Sequence, residues 1–492
     1  NGAGKTTLMK IIMDQEEPTT GNVSLPQSVG ILKQNIHDFK DDTVLDVVIM
    51  GNERLWKAMQ ERDSLYELEM TDEVGMRLGD LEGIIAEENG YTADSDAEVL
   101  LHGMGILEEY YKQKMHQIPT DIQFRVLLCQ AIFGEPQALL LDEPTNHLDM
   151  ESIGWLEKFL HDYSGILVVT SHDRHFLNSV TTHIADIDYD TIILYPGNYD
   201  DMITAKTAVR QRAEQDAKSK EKKAQRLQEF VQRFSAGSRA SQVQSRKREI
   251  ERLKSDELKD SNIQRPYIRF PVPEKQPGKM IFKVENLCKS YEDLEVIKDF
   301  SIEIHRGDKI GVIGNNGRGK TTLLKLLAGA LSPDKGQIEP GHQVSISYFA
   351  QNHSDVIKKK EGMTSFDWLK LCKPNSYDQD IRSVMGKMLF GGDDAFKSVK
   401  KLSGGETARL IIANMMQQEH NVIIMDEPNN HLDLEAVSAL GWGIEDYKGT
   451  AIVASHDRSL LEVVATKLIA FEDDGIHVYE GTLDEYFEKK SS

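Results

Sequence analysis

Residues 314–323 read GNNGRGKTTL and directly follow the apolar segment KIGVI at 309–313. This is the full G-x-x-x-x-G-K-T spacing of a phosphate-binding loop, in which glycines let backbone amides approach a phosphate chain and a lysine supplies a cation. The chain opens on NGAGKTTL, residues 1–8, which lacks the first glycine of that motif and the strand before it. We expect residues 1–8 to be the second half of another phosphate-binding loop, with its beginning upstream.

The two loops each open the same series of motifs. GKTT is followed by a glutamine after a short strand, then by an apolar run ending in DEP, then by SHDR. The landmarks are Lys5, Gln34, Asp142 and His172 in the first copy and Lys320, Gln351, Asp426 and His456 in the second. The interval from Asp to His is 30 residues in both (172 − 142 and 456 − 426). This repetition predicts two related α/β domains in tandem.

The middle of the first copy is longer than that of the second. Gln to Asp spans 108 positions in one (142 − 34) and 75 in the other (426 − 351), which leaves a net insertion of 33. We place it at about 50–95, where Trp56, Met59 and Leu65 lie among many charges and suggest amphipathic helix. The sequence therefore predicts an arm that the second copy lacks.

A basic segment separates the copies. Residues 206–254 hold 15 Lys and Arg against 6 Asp and Glu, a local charge of +9 (15 − 6) in a chain whose net charge is −22. Residues 227–234 have helical apolar spacing, residues 235–238 interrupt it, and a second helical segment ends before four prolines at 266–277. We predict a helical hairpin linker over 199–278 between domains at 1–198 and 279–492.

Gross composition narrows the class of protein. With 39% hydrophobic and 28% charged residues, the chain resembles ordinary globular proteins. Its apolar runs, such as 138–141, are far shorter than the roughly 20 residues that a membrane helix needs. The three cysteines have no CxxC spacing, which argues against a zinc or iron–sulfur site and favours a reducing, cytoplasmic setting.

The repeated acidic pair has a chemical interpretation. An apolar strand ending in Asp426-Glu427 puts a magnesium-associated carboxylate beside a candidate general base for water, and His456 after the next strand could sense a γ-phosphate. A lone histidine in such a loop is usually structural, but the recurrence in both copies favours function. Neighbouring side chains in Ser171-His172-Asp173 point to opposite sides, so we reject a hydrolase triad.

The segment LSGGE at 402–406 lies 24 residues before Asp426 (426 − 402). With both phosphate-binding loops and both DEP-x-NHLD segments, it strongly resembles the ATP-binding cassette (ABC) ATPases, a P-loop NTPase family. Two cassettes without membrane spans, joined by a long basic linker, resemble the ABC-F class of translation factors over essentially the whole chain. PGNYDDM at 196–202, FVQRFSAGSR at 230–239 and IRF at 268–270 are similar to its bacterial YbiT-like subgroup.

The resemblance implies Mg²⁺-dependent ATP hydrolysis at two sites between head-to-tail cassettes. Implied catalytic residues are Glu143, His172, Glu427 and His456, and implied magnesium ligands are Thr6, Gln34, Asp142, Thr321, Gln351 and Asp426. Implied nucleotide-binding residues are Asn1, Gly2, Gly4, Lys5, Thr6, Thr7 and Gln34 in one cassette and Tyr291, Gly314, Asn315, Asn316, Gly317, Arg318, Gly319, Lys320, Thr321, Thr322, Gln351, Ser403, Gly404, Gly405 and Glu406 in the other. Tyr291 would stack on adenine. Site one pairs the first P-loop with the second signature, and site two the reverse.

The first cassette departs from the family pattern at its signature. Residues 118–121 read IPTD where LSGG is expected, while Arg125 still aligns with Arg409. Pro119 has no amide to offer a phosphate, and Asp121 brings a carboxylate close to it. We expect site two to bind ATP but to close or hydrolyse poorly. The sequence gives no interpretation of Asn429, which stands where the first copy has Thr145.

The resemblance also implies a partner. ATP-driven closure would place the 206–254 linker near rRNA and tRNA on the ribosome, in a cytoplasmic monomer whose cassettes pair within one chain. The alternative is the ATP-binding subunit of a transporter with separate membrane subunits, which gives no reason for a basic linker. A third interpretation, a DNA-repair or chromosome-type cassette ATPase, usually needs zinc-binding cysteines or a very long coiled coil.

Overall fold

The computed structural model describes residues 4–33, 35–146, 148–188, 191–209, 227, 265–291, 294–353, 356–357, 362–430 and 432–491. They divide into two compact units, one made of the described residues of 4–176 and 265–491 and the other of those of 177–264. Asn1, Gly2, Gln34 and nearly all of the predicted linker at 199–278 before residue 265 lie outside the described residues.

Helices occupy both copies of the repeat. They are α1 Lys5–Ile12, α2 Val44–Ile49, α3 Glu53–Tyr66, α4 Asp72–Glu87, α5 Ala93–Gly103, α6 Thr120–Ile132, α7 Met150–Asp162, α8 Arg174–Val180, α9 Lys320–Leu327, α10 Ser365–Cys372, α11 Asp378–Lys387, α12 Gly404–Gln417, α13 Leu434–Glu445, α14 Arg458–Val464 and α15 Leu483–Ser491. Within the described ranges, no helix has the length and apolarity that crossing a bilayer requires.

The strands form four sheets. They are β1 Val29–Ile31, β2 Ala138–Asp142, β3 Ile166–Thr170, β4 His183–Asp188, β5 Thr191–Pro196, β6 Met280–Tyr291, β7 Leu294–His305, β8 Lys309–Gly314, β9 Lys335–Pro340, β10 Ile346–Phe349, β11 Val422–Asp426, β12 Thr450–Ala454, β13 Lys467–Phe471 and β14 Ile476–Glu480. The strand orders are β1-β2-β3, β10-β11-β12-β8-β13-β14, β4-β5 and β7-β6-β9.

The six-stranded sheet brings the second set of motifs together. β10, β11, β12 and β8 run parallel, so their carboxyl ends lie along one edge. Gln351, Asp426 and His456 end or follow three of these strands, and β8 leads into the phosphate-binding loop and α9. Every residue of β11 and β12 is buried, which fits their almost uninterrupted apolar sequence.

The first cassette has a smaller version of this sheet. β1, β2 and β3 pair in parallel and correspond to β10, β11 and β12. β12 is covered on its far side by β8, whereas among the described residues no strand pairs with the far edge of β3. Ile166, at the start of β3, is 62% exposed.

The inserted region near 50–95 contains two long helices packed side by side, α3 and α4. Leu55, Leu81 and Ile85 are buried between charged outer faces, and the Arg77 guanidinium donates to both carboxylate oxygens of Glu61 at 2.6 and 2.7 Å. In the second cassette, α10 is followed directly by α11.

In the smaller unit, β4 and β5 form an antiparallel hairpin, and residues 199–209 are helical. The Lys206 ammonium in this helix donates to Asp186 at 2.6 Å and to Asp188 at 2.7 Å. Both carboxylates are buried. Among the 15 basic residues of 206–254, Lys206 therefore has its charge neutralised within the protein, which the sequence alone does not indicate.

Candidate active sites

The second phosphate-binding loop needs glycine at three positions. Gly314, Gly317 and Gly319 have φ of 136°, 77° and 108°, in the region that side chains with a Cβ avoid. A Cβ on Gly314 would also lie 2.7 Å from the Phe471 backbone oxygen. These glycines let the chain turn sharply into α9, so that its amino-terminal amides can face an anion.

Lys320 is buried at the start of α9 and points back into the loop. Its ammonium donates to the carbonyl oxygens of Gly314 at 2.6 Å and Asn315 at 3.1 Å. The same Nζ lies 3.1 Å from Nε2 of His456, which is 2.9 Å from Oδ1 of Asn316. Burial lowers the pKa of both Lys320 and His456. The structure therefore brings the predicted lysine and the predicted phosphate sensor into one cluster.

Thr321 and Asp426 form a group suited to a divalent cation. The Thr321 hydroxyl donates to Oδ1 of Asp426 at 3.2 Å. Oδ2 is buried and has no hydrogen bond of standard geometry to the described residues, and burial raises the pKa of this carboxyl. Hydroxyl and carboxylate oxygens are the ligands that Mg²⁺ prefers. Gln351 is exposed and follows β10 at the same sheet edge.

The first cassette repeats part of this arrangement. The Thr170 hydroxyl donates to Oδ1 of Asp142 at the end of β2. Lys5 begins α1. Gly4 before it has φ of 95°, similar to the 108° of Gly319 before Lys320. Gln34 lies outside the described residues. Thr170 holds the position of Ala454 and not that of Thr321, and it is the strand register, Asp142 opposite Thr170 and Asp426 opposite Ala454, that makes Asp142 the equivalent of Asp426.

The two candidate general bases have matching geometry. Glu143 and Glu427 adopt φ of 53° and 48°, a conformation that costs energy for a residue with a Cβ and that recurs at functional sites. Their backbone amides donate to the carbonyl oxygens of Thr170 at 3.0 Å and Ala454 at 2.9 Å. Burial raises the pKa of Glu143 to about 7 and also raises that of Glu427. Both carboxyls are therefore poised to exchange a proton near neutral pH.

The two histidines stand next to these carboxyls. The amides of His172 and His456 donate to Oε2 of Glu143 at 3.1 Å and of Glu427 at 3.3 Å. Burial, with a smaller contribution from the charge of Lys5, lowers the pKa of His172 to about 4, and the charge of Asp433 acts in the opposite direction. A neutral imidazole can offer an N–H to a phosphate oxygen without carrying a charge.

The signature helices differ as the sequence suggests. Ser403 caps α12: the Glu406 amide donates to its hydroxyl at 3.2 Å, and its own amide donates to Oε2 of Glu406 at 2.7 Å. Ser403 and Gly404 are exposed at this helix start. The equivalent helix α6 begins after Pro119, which provides no side-chain cap, and has Asp121 in its first turn.

Asn429 and Thr145, which the sequence left unexplained, perform the same task. The Thr145 and Ser171 hydroxyls lie 3.1 Å apart, and the Ser455 hydroxyl donates to Oδ1 of Asn429 at 2.7 Å. Each bond ties the DEP loop to the serine of SHDR. The exchange is therefore conservative.

We expect Asn429→Thr to change the free energy of unfolding by less than about 0.5 kcal/mol, because a threonine hydroxyl can bond Ser455. Asn429→Ala should cost about 1 kcal/mol, because the buried Ser455 hydroxyl loses the acceptor of its proton and keeps only the bond that it accepts from the Asp457 amide. Urea denaturation of both variants checks this. A Thr variant as unstable as the Ala variant would contradict the assigned role.

The two cassettes contact each other near their sites. Met150, in the first cassette, packs within the apolar core of the second. The side-chain amide of Asn315 donates to Oε2 of Glu151 at 2.9 Å, and the Lys490 ammonium lies 3.6 Å from the same carboxylate. Burial lowers the pKa of Lys320, and the negative charge of Asp149 opposes that shift. The sequence did not point to Asp149, Met150 or Glu151, although the Asp of NHLD recurs in both copies and was a visible signal.

Other predicted ligands lie around the second loop. Tyr291 is 46% exposed and pairs with Leu294 across the β6–β7 hairpin. Val296, two residues on, lies against the site of a Cβ on Gly319, so this hairpin borders the loop. Arg318 is bound to Asp473, and Thr322 is buried in α9. No hydrogen bond joins Ser403 to the described part of the first loop.

Known proteins share these features. A family model described as ABC transporter matches residues 1–146 and 297–430, and an extension model with the same description matches 185–270. "Probable ATP-binding protein YbiT" of Escherichia coli O157:H7 is 42% identical over 100% of this chain and 93% of that protein. "Energy-dependent translational throttle protein EttA" of Haemophilus influenzae is 33% identical over 100% of this chain and 89% of that protein.

A solved structure has the same fold. The "RNase-L Inhibitor" aligns with a TM-score of 0.61 and 19% identity, over 100% of this chain and 86% of that chain. The predicted tandem α/β cassettes and the predicted ATPase activity are confirmed. This chain belongs to the ABC-F class of tandem ATP-binding cassette ATPases.

Proposed function

We propose that this protein acts on the ribosome as a translation factor, in which ATP-driven pairing of the cassettes places the basic 206–254 segment against rRNA and tRNA. The observation that carries the proposal is the charge contrast: +9 (15 − 6) in this segment, within a chain of net charge −22. Acidic cassettes are repelled by a polyanion while the segment is attracted to it. The similarity to EttA supports a role in translation.

In this proposal the domains are cassettes at 1–198 and 279–492 and a linker at 199–278. The working species is a cytoplasmic monomer, since the cassettes contact each other within one chain through Met150 and Glu151. Lys206 stays bound to its two aspartates and takes no part in RNA contact.

At each site, Glu143 or Glu427 accepts a proton from the attacking water, and His172 or His456 holds the γ-phosphate. Thr321 and Asp426, with Thr6 and Asp142 in the other cassette and the glutamines Gln34 and Gln351, hold Mg²⁺, which when bound neutralises phosphate charge. The remaining predicted loop and signature residues bind ATP. Site two uses the start of α6, where Pro119 stands at the position that Ser403 holds before α12. Site two therefore hydrolyses ATP more slowly than site one.

Co-sedimentation with ribosomes tests the proposal. We expect full-length protein carrying Glu143→Gln and Glu427→Gln to pellet with ribosomes when ATP is present and to stay in the supernatant without it, because the Gln side chains block hydrolysis and hold the cassettes paired. Sedimentation without ribosomes is the control. Absence of binding, with ATP turnover intact in the unmutated protein, would favour the transporter interpretation instead.

A further inference from the structure

Lys397 lies on the turn that precedes the signature of the second cassette. Its carbonyl oxygen accepts from the Ser365 amide at 3.0 Å and from the Ser365 hydroxyl at 3.2 Å, and Ser365 is fully buried. One residue further on, Ser398 pairs with Thr364 in an antiparallel bridge. The start of α10 therefore fixes the backbone from which the Lys397 side chain extends.

The Lys397 side chain reaches the first turn of α12. Its ammonium donates to Oε1 of Glu406 at 2.6 Å, and Oε2 of the same carboxylate accepts from the Ser403 amide at 2.7 Å. The Ser403 hydroxyl accepts from the Glu406 amide at 3.2 Å, and the Thr407 hydroxyl donates to the Ser403 carbonyl oxygen at 2.8 Å. Ser403 is thus held at its amide, hydroxyl and carbonyl, and the bond at its amide depends on where Lys397 directs the Glu406 carboxylate.

The Ser403 hydroxyl keeps its own proton for a further acceptor. A hydroxyl that accepts one hydrogen bond can still donate one, and Ser403 is exposed at the start of α12. A hydroxyl donor beside the first amides of a helix is suited to a phosphate oxygen. The arrangement of Lys397, Glu406 and Ser403 therefore prepares a phosphate-facing surface.

The Glu406 carboxylate brings a negative charge to that surface. Burial raises the pKa of Glu406, but the bonds from Lys397 and Ser403 act in the opposite direction and leave the pKa below its ordinary value. The carboxylate is therefore charged at neutral pH. Only 20% of the Glu406 side chain and 35% of the Lys397 side chain are exposed, so water screens their charges incompletely. The Lys397 ammonium cancels a charge that would otherwise repel the phosphates of ATP.

The first cassette lacks both members of this pair. At the offset of 284 residues that relates the two DEP motifs (426 − 142), the positions of Lys397 and Glu406 hold Gln113 (397 − 284) and Ile122 (406 − 284). The copy with the carboxylate has the cation, and the copy without the carboxylate does not. This pattern is expected if Lys397 serves Glu406 and not the general fold of the cassette.

We propose that Lys397 is a positioning residue for ATP hydrolysis at site one: it holds the Glu406 carboxylate against the Ser403 amide and cancels its charge, so that the start of α12 can receive the γ-phosphate. The inference rests on the proposed function in assigning the start of α12 to site one. It does not depend on the ribosome, because ATP turnover by the chain alone reports it.

Steady-state ATP hydrolysis by full-length protein tests the proposal, with Glu427→Gln present so that site one supplies the turnover. Lys397→Gln is the test variant, and Lys401→Gln, at an exposed lysine four residues further on, is its matched control. We expect Lys397→Gln to lower kcat about tenfold and Lys401→Gln to lower it less than about twofold, because only the first leaves the Glu406 charge uncancelled. Lys397→Arg should restore part of the turnover, because it supplies a cation again.

Two further backgrounds separate positioning from a merely structural role. With Glu406→Gln present, Lys397→Gln should cause no additional loss, because no carboxylate remains to be held or neutralised. With Glu143→Gln in place of Glu427→Gln, so that site two supplies the turnover, the loss from Lys397→Gln should disappear. Lys397→Met, which keeps the apolar stem, replaces Lys397→Gln if thermal unfolding shows that the Gln variant does not fold.

Four results would overturn the role of Lys397: no loss from Lys397→Gln, an equal loss from Lys401→Gln, a loss that persists beside Glu406→Gln, or a loss of the same size at both sites. A loss that appears only beside Glu143→Gln would show that α12 serves site two, which overturns the pairing in the proposed function. Failure to bind ribosomes would overturn only the role in translation.

Discussion

Glu143→Gln is expected to lower ATP turnover about tenfold, whereas Glu427→Gln is expected to lower it less than about twofold. Removing a general base slows its own site by about 10²–10⁴-fold, so the turnover that survives is that of the other site. In the proposed pairing, site one would use the start of α12, which is capped by Ser403, and site two would use the start of α6, which has Pro119 and Asp121. Glu143→Gln should therefore lower ATP turnover more than Glu427→Gln does.

Folding should survive both substitutions. Burial already raises the pKa of each carboxyl, so a neutral amide of the same shape costs little. Steady-state phosphate release from the two single variants and the double variant measures the share of each site. Equal losses from the single variants would show that the degenerate signature does not matter.

Repairing the first signature supplies a gain-of-function control. In the Glu143→Gln background, the combined changes Pro119→Ser, Thr120→Gly and Asp121→Gly should raise the residual turnover, since they return a capping hydroxyl and free amides to the start of α6. Unchanged turnover in a folded variant would assign the slowness of site two to another cause.

Ribosome affinity of the ATP-bound double Gln variant should fall roughly 250-fold between 50 and 200 mM salt. This follows if about five cations of the basic segment contact phosphate, since each contributes about 0.8 to the log–log slope, which is then about −4. Affinities at four or more salt concentrations measure the slope. A flat response would contradict RNA contact by this segment.

Charge removal within the segment gives a matched comparison. Replacing Lys222, Lys223, Arg226, Arg233 and Arg239 by Gln should flatten the slope. Lys206→Gln should leave it unchanged, because that ammonium is already bound to Asp186 and Asp188. It should instead lower stability, since the two buried carboxylates of Asp186 and Asp188 lose the Lys206 ammonium. A slope altered by Lys206→Gln would contradict its exclusion from RNA contact.

The parts of the site that the sequence predicted are those formed by the repeated motifs. Two copies of an ordered motif series implied parallel strands whose ends meet, and the structure does bring Lys320, Thr321, Asp426 and His456 together. What it could not predict depends on partners far apart in the chain. The role of Asn429 is explained by its hydrogen bond with Ser455, and the packing of residues 265–270 by their close contact with Gly443.

Lys206 illustrates the limit of charge counting. It opens a long basic run, so composition assigns it to that run, but its partners are two alternate residues of β4 that share one face of the strand. A period of two in Asp186 and Asp188 was visible in the sequence. Which cation they bind was not, because that depends on how the helix at 199–209 lies on the hairpin.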